Sequence, residues 1–288
     1  MSDATKSVSA VIVTYNRLEL LKEVIESLKI QTQKINDIII INNSSTDGTS
    51  DWLEKQEGLT IITQPNLGSS GGQYTGMKTA IAKSNNWIWI MDDDVVPVPD
   101  CLENLLKDVD SNIIRAPLRY KANGEVFYND AVGYNLNNPF RSFWLGIISE
   151  NDLKNEYIPA IGLTFEGPLI HRKIIEDIGF PEKKFFLFGD DTEYFIRASK
   201  MGYKMIVCRD AVLNRKLTVL NINDMPAWKW YFVVRNLVAI NVLHGSLSVR
   251  IIRPIIILLT SLTRCKNFKS VKSVIRGFTN GFFYKSEN

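Results

Sequence analysis

Four short apolar runs, each stopping abruptly at polar residues and each followed by a segment of helical character, restrict this chain to a small group of folds. "VSAVIV" (8–13) ends at "TYNR", "DIIIIN" (37–42) at "NSSTDGT", and "LTIITQ" (59–64) runs into "PNLGSSGGQYTG". The fourth, "WIWIM" (87–91), stops at three consecutive carboxylates, Asp92, Asp93 and Asp94. After the first run, Leu18, Leu21, Val24, Ile25 and Leu28 recur at helical spacing. A short helix is expected from Asp51 to Leu59, and another after the glycines through Lys83. Apolar strands alternating with helices predict an α/β fold with a mostly parallel sheet flanked by helices, because a parallel crossover needs a helix to cover the sheet face. From about residue 113 the alternation gives way to a loop-rich region, roughly 120–157, and then to a strand-helix unit at 166–180. A loop entering a helix at 185–205 and a late strand, "MIVCRDAVLN", complete it.

Ligands of open parallel sheets bind at the carboxyl ends of the strands. Thr14, Tyr15 and Asn16, then Asn42, Asn43 and Asp47, then Asn66 and its glycines, and Asp92 to Asp94 therefore converge on one edge. Gly68, Gly71 and Gly72 let backbone approach a ligand, and a helix N-terminus just beyond them favours a diphosphate. Three aspartates at that edge would repel a diphosphate unless a hard divalent ion, Mg²⁺ or Mn²⁺, lay between. The plainer reading is an Asp-rich turn or cap; the position after a buried-looking strand favours the ligand. Asp190, Asp191 and Glu193 form a second acidic group at the start of a helix. There they either complement its dipole or supply a general base.

"VSAVIVTYNR", "IIINNSSTDGT", "PNLGSSGG", "WIWIMDDDVVPVPDCLENLL" and "FFLFGDDTEYFIRASKMGYK" follow the order and spacing of the family 2 glycosyltransferases. The chain thus resembles, over roughly residues 7–216, inverting nucleotide-sugar enzymes with the Rossmann-like GT-A fold, and within them the galactofuranosyl- and rhamnosyltransferase branch. The resemblance implies a nucleotide pocket lined by Thr14, Tyr15, Asn16 and Asn42, with Asn42 meeting the base where the family usually has Asp. Asp47, Asn66, Gly71 and Gly72 belong to the same donor site. Asp92 and Asp94 would hold metal and diphosphate with Asp93 beside them, and Asp191 would be the base, tuned by Asp190. Asn214 stands where many members have a metal-ligating His. The donor would be a UDP- or dTDP-sugar, first UDP-galactofuranose and next dTDP-rhamnose. The acceptor would be a hydroxyl of a lipid-linked glycan in bacterial cell-surface polysaccharide synthesis.

Charge is distributed unevenly. Between Asp224 and Glu287 there is no acidic residue but ten basic ones, and without those ten the chain's 34 basic residues fall to 24, against 31 acidic. The expected division is therefore a catalytic domain over 1–224, with a nucleotide-sugar half to about 115 and an acceptor half from 116. A basic helical extension over 225–288 follows. Its apolar segments are too short to span a bilayer, and a basic amphipathic helix pair suits an anionic membrane surface; a homo-oligomer interface is the other reading. Nucleic acid is not expected, because the tail is aliphatic. Three scattered cysteines and an N-terminus with no basic, then apolar, leader predict a cytoplasmic protein at the inner face of the membrane. His171 is expected to cap or pack a helix and His244 to be structural. Two other classes were weighed. A catalytically silent nucleotide-sugar-binding subunit gains room from Asn42 and Asn214, whereas a dinucleotide oxidoreductase lacks G-x-G-x-x-G after the first strand.

Overall fold

The computed structural model describes residues 6–217 and 225–286. The expected domain boundary at residue 224 lies outside the described residues. The first half is β1 (Val8–Thr14), α1 (Leu18–Lys29), β2 (Asp37–Asn42), α2 (Thr49–Leu53), β3 (Leu59–Thr63), α3 (Gly68–Ala82) and β4 (Trp87–Asp92). Next come β5 (Val95–Pro97), α4 (Cys101–Leu105), β6 (Ile113–Tyr120), β7 (Tyr157–Pro159), β8 (Leu169–His171), α5 (Arg172–Ile178), α6 (Asp190–Lys200) and β9 (Lys204–Arg215). The extension is α7 (Ala227–His244), α8 (Leu247–Leu262) and α9 (Phe268–Phe282).

The strands form one sheet in the order β3-β2-β1-β4-β8-β6-β9-β5, with β7 pairing β9. Pairing is parallel among β1 to β4 and again between β6 and β9, while β8, β5 and β7 join antiparallel. The parallel sheet read from the sequence is thus confined to the first half, and the second half is mixed. The physical difference is connection length: β4 turns directly into β5, and β8 follows a long loop rather than a crossover helix. β1 is buried along its whole length, and Val11 and Val13 face one core while Ala10 and Ile12 face the other, as two-sided helix cover requires.

The glycine segment corrects an expectation. It is not a loop throughout: α3 begins at Gly68, so Gly71 and Gly72 are helical. A Cβ on Gly72 would overlap Val13, one on Gly76 would overlap Val11, and one on Gly71 would overlap Leu67. These glycines bring the helix down onto β1. His171 does cap a helix, with Nδ1 accepting the Lys173 amide at 3.3 Å at the start of α5.

Candidate active site

Strand order reverses between β1 and β4, since β2 and β3 lie on one side of β1 and β8 on the far side of β4. Loops leaving the two strands diverge there and open a crevice. In this protein it is a cleft of about 930 Å³ lined by Thr14, Tyr15 and Arg17 at the end of β1, Asn66 and Gly68 at the start of α3, and Asp92 to Asp94 at the end of β4. The rest of its lining includes Glu166, the segment Phe186 to Asp191, Arg215, Trp228 and Lys229. Tertiary structure thus brings the two acidic groups, about a hundred residues apart in sequence, into the lining of one cavity.

The three consecutive aspartates have separate environments because the chain leaves the strand among them: Asp92 ends β4, and Asp93 and Asp94 form the turn into β5. Asp93 is buried. Its Oδ2 accepts the Thr14 hydroxyl at 2.8 Å and its Oδ1 accepts Arg17 Nη1 at 2.8 Å, fastening the β1 loop to β4. Arg17 Nη1 also reaches Asp94 Oδ2 at 3.0 Å. Burial alone would weaken the Arg17 charge, but Asp93 and Asp94 outweigh it and hold the guanidinium more firmly protonated than usual. Asp92 has no such cation among the described residues. Burial, followed by the charges of Asp94, Glu166, Asp93 and Asp190, drives its pKa well above the carboxylate range. Asp94 is also raised, by burial, with Arg17 opposing. Part of the acidic run is therefore neutralised internally, and Asp92 keeps a strongly cation-favouring field.

Two carboxylates with donor phosphate oxygens suit Mg²⁺ or Mn²⁺, and Asp92 and Asp94 fit that description. Asn214, the other expected ligand, is not among the residues that line the cleft, whereas its neighbour Arg215 is. Among the described residues no group of three His, Cys, Asp or Glu is arranged to hold a metal.

Several expected donor residues stand outside the lining. Asn42 is fully buried, with Oδ1 accepting the Ser45 amide and Nδ2 donating to Ser50 Oγ, both at 2.9 Å, so its amide is committed to the turn after β2. Asn16 adopts φ 54° and accepts the Thr46 amide at 2.6 Å. Asp47 accepts the Leu18 amide at 3.0 Å and the Thr49 hydroxyl at 2.6 Å, capping the starts of α1 and α2. These residues shape the wall rather than form its surface. Asn43, adjacent to Asn42, does line the cleft and donates to the Gly68 carbonyl at 3.0 Å.

At the second acidic group, Gly189 takes the left-handed conformation (φ 77°) and starts α6. Asp190 is buried, and its Oδ2 has no hydrogen-bond partner. Burial, and then the charge of Asp191, push it up to about 8. Asp191 is also raised by burial, but hydrogen bonds from Thr192, including the amide at 2.6 Å, limit the rise to about 6. The two environments pull the pair apart: at neutral pH Asp190 is the protonated member and Asp191 the ionised one. Glu193 has a different task. Burial opposes its charge, but His244 at 3.0 Å and Arg197 at 2.9 Å hold it below the usual range, tying α6 to α7.

Sequence reasoning missed a further network. Arg119 is buried, donating to Asp130 at 2.8 Å, Glu166 at 2.6 Å and the Thr164 hydroxyl at 2.7 Å. Arg215 Nε lies 3.1 Å from the same Glu166 oxygen, and its guanidinium sits 4.1 Å from the Phe127 ring centroid. The network fixes Glu166 beside Asp92. Its members come from separate segments with no common motif, so local pattern carried no signal for it.

The comparisons with known proteins agree with this architecture. The chain is 27% identical over 222 residues to the galactofuranosyltransferase GlfT1 of Mycobacterium tuberculosis, a match covering 72% of this chain and 69% of that one. It is 25% identical over 190 residues to the O-antigen chain rhamnosyltransferase WbaN of Salmonella anatum, covering 63% of this chain and 56% of the relative. Among solved structures, GalNAc-T7 with UDP, GalNAc and Mn²⁺ superposes with a TM-score of 0.63 at 13% identity, over 81% of this chain. This chain spans 47% of that protein, so the likeness is one of fold. Residues 9–179 match glycosyl transferase family 2, and with the GT-A architecture and its crevice at the β1/β4 reversal, the chain belongs to that family of glycosyltransferases.

Proposed function

We propose that this glycosyltransferase moves a sugar, with inversion, from a UDP- or dTDP-sugar to a hydroxyl of a lipid-linked glycan, and that galactofuranose is the sugar. The observation that carries the chemical part is that Asp190 and Asp191 line the same cleft as Asp92 and Asp94, with burial raising both members of the pair and Asp190 the more. Similarity to a galactofuranosyltransferase supports the sugar, and similarity to a rhamnosyltransferase keeps dTDP-rhamnose as the second donor. In this reading residues up to about 115 bind the donor and residues from 116 receive the acceptor.

Thr14 and Tyr15 line the nucleotide end. Asp92 and Asp94 would hold a divalent ion, which when bound supplies positive charge to the leaving diphosphate. Asp191 accepts the proton of the acceptor hydroxyl as the oxygen attacks the anomeric carbon from the face opposite the diphosphate; the bond from that carbon to the diphosphate oxygen breaks, and the configuration inverts. A base near 6 is ionised at neutral pH yet still basic enough to take the proton. Asp190, protonated, places no second negative charge beside it.

A panel of UDP- and dTDP-sugars, each with Mn²⁺ and purified protein, tests the donor assignment. Hydrolysis of UDP-galactofuranose at least about tenfold above the other donors is expected, a discrimination of roughly 1.4 kcal/mol. Preferential hydrolysis of dTDP-rhamnose would move the assignment to rhamnosyl transfer, and hydrolysis of neither would remove both.

The extension fits a peripheral position on the inner face of the membrane. No helix among the described residues is long and apolar enough to cross a bilayer. Leu247, Ile251, Ile255 and Leu259, four residues apart on α8, are all exposed and form one aliphatic stripe. The basic composition of the tail is less available than its sequence suggests, because Arg235 and Arg253 are buried. Purified protein is expected to co-sediment with phosphatidylglycerol-rich vesicles, and Ile251→Asp with Ile255→Asp to release it. Equal sedimentation of this double variant would show that the stripe does not contact lipid.

A further inference from the structure

The short segment just before Asp190 and Asp191 has an unusual backbone. Phe186 (φ 65°), Phe188 (φ 68°) and Gly189 (φ 77°) all lie in the left-handed region. Side chains make this conformation costly for the two phenylalanines, and it persists only where surrounding structure over-determines it. Five consecutive carbonyls in this turn each receive a donor from elsewhere. Arg235 Nη2 donates to Lys184 O at 2.6 Å and Phe185 O at 2.8 Å. The Ser70 amide, in the first turn of α3, donates to Phe186 O at 3.2 Å. Asn236 Nδ2 reaches Phe185 O and Leu187 O at 2.9 Å and Phe188 O at 2.7 Å.

Arg235 and Asn236 are adjacent on α7, and both are buried. Arg235 Nε donates to Asn236 Oδ1 at 2.8 Å, which turns the amide nitrogen toward the carbonyls. The pair is itself braced. Gly277 and Gly281 let α9 close onto the α7 backbone, where a Cβ on Gly277 would overlap Tyr231 O and one on Gly281 would overlap Arg235 O. Phe232 stacks on Phe186 with ring centroids 4.8 Å apart. A cation and an amide inside an apolar helix are expensive unless satisfied, and here their main-chain partners all belong to the turn that leads into the acidic pair.

We propose that Arg235 and Asn236 are positioning residues for the transfer reaction. They hold Lys184 to Phe188 in its strained turn, so that Asp191 stands at the distance from the acceptor hydroxyl that proton transfer needs. The C-terminal extension thereby completes the catalytic centre from outside the segment that matches the family. The inference rests on Asp191 as the base, the reading given above.

Asn236→Ala and Arg235→Lys test it, each alone and Asn236→Ala also in the Asp191→Asn background. UDP affinity comes from calorimetry and kcat from transfer. Both single variants are expected to melt cooperatively and to bind UDP within about threefold of wild type. Their kcat should fall on the order of 10²-fold, the usual cost of a displacement of about 1 Å at the reacting groups. In the Asp191→Asn background Asn236→Ala should cost less than about threefold more, because a positioning residue has nothing left to position. A kcat within threefold of wild type in both variants, parallel loss of UDP binding, or a full further loss on the Asp191→Asn background would overturn the proposal. So would failure of both variants to fold, which would make the pair structural alone. Wild-type transfer by Asp191→Asn itself would instead overturn the base assignment, and is read separately.

Discussion

Asp191→Asn is expected to lower kcat by roughly 10²–10⁴-fold while leaving UDP affinity within about threefold, the range attributable to a lost general base. Asp191 belongs to α6 and not to the β1 or β4 ends where the nucleotide is proposed to bind, so nucleotide affinity should survive its replacement. The neighbouring substitution gives the contrast. Burial and the charge of Asp191 keep Asp190 protonated up to about 8, and an amide has the same charge as a protonated acid. Asp190→Asn should therefore cost less than about tenfold in kcat at pH 7. A reversal of these two effects would exchange the roles. The pH profile follows from the sign of the shift: a base with a value near 6 is protonated and idle below it, so the rate should climb as pH rises through about 6 and level off above. A rate independent of pH between 5 and 7 would exclude Asp191 as the titrating base.

Removal of the divalent ion has the other large effect. Excess EDTA should reduce turnover to background, and Mn²⁺ or Mg²⁺ should restore it. Asp92→Asn should raise the Mn²⁺ concentration needed for half-maximal binding in the presence of UDP by at least about tenfold, since even outer-shell partners of a metal are worth that much. Binding can be read by electron paramagnetic resonance without any assay of transfer. The reason to expect so large an effect is the lone position of Asp92. Asp93 and Asp94 share Arg17, whereas Asp92, among the described residues, makes no ion pair, lies near four other carboxylates and accepts Gln73 Nε2 at 3.5 Å. Full turnover in excess EDTA would show that the cations already in the cleft, Arg17, Arg215 and Lys229, suffice for the diphosphate.

Much of the first half, up to Asp92, was legible in the sequence. Strands and helices up to Asp92 follow from apolar runs and periodicity, because in a two-sided α/β core each local segment carries its own burial pattern. The convergence of Thr14, Tyr15, Asn66 and Asp92 to Asp94 on one edge follows from the rule that ligands meet strand carboxyl ends. What misled was residue type without direction. Asn214 is one position from Arg215, yet of the two only Arg215 lines the cleft. Gly71 and Gly72 have the composition of a phosphate loop, but a glycine serves close approach of any kind, and here the neighbours are Leu67 and Val13.

By itself the sequence determined the alternating half-sheet, the acidic run at its edge and the acidic pair at the start of α6, since each is a local pattern read along a few residues. Tertiary structure alone decided that Arg17 neutralises two of the three aspartates, that Asp190 and Asp191 part toward about 8 and 6, and that Arg235 and Asn236 grip the turn before them. These depend on burial and on hydrogen bonds between residues some fifty to eighty positions apart. Desolvation and pairing are properties of the packed interior, which no local stretch of chain encodes.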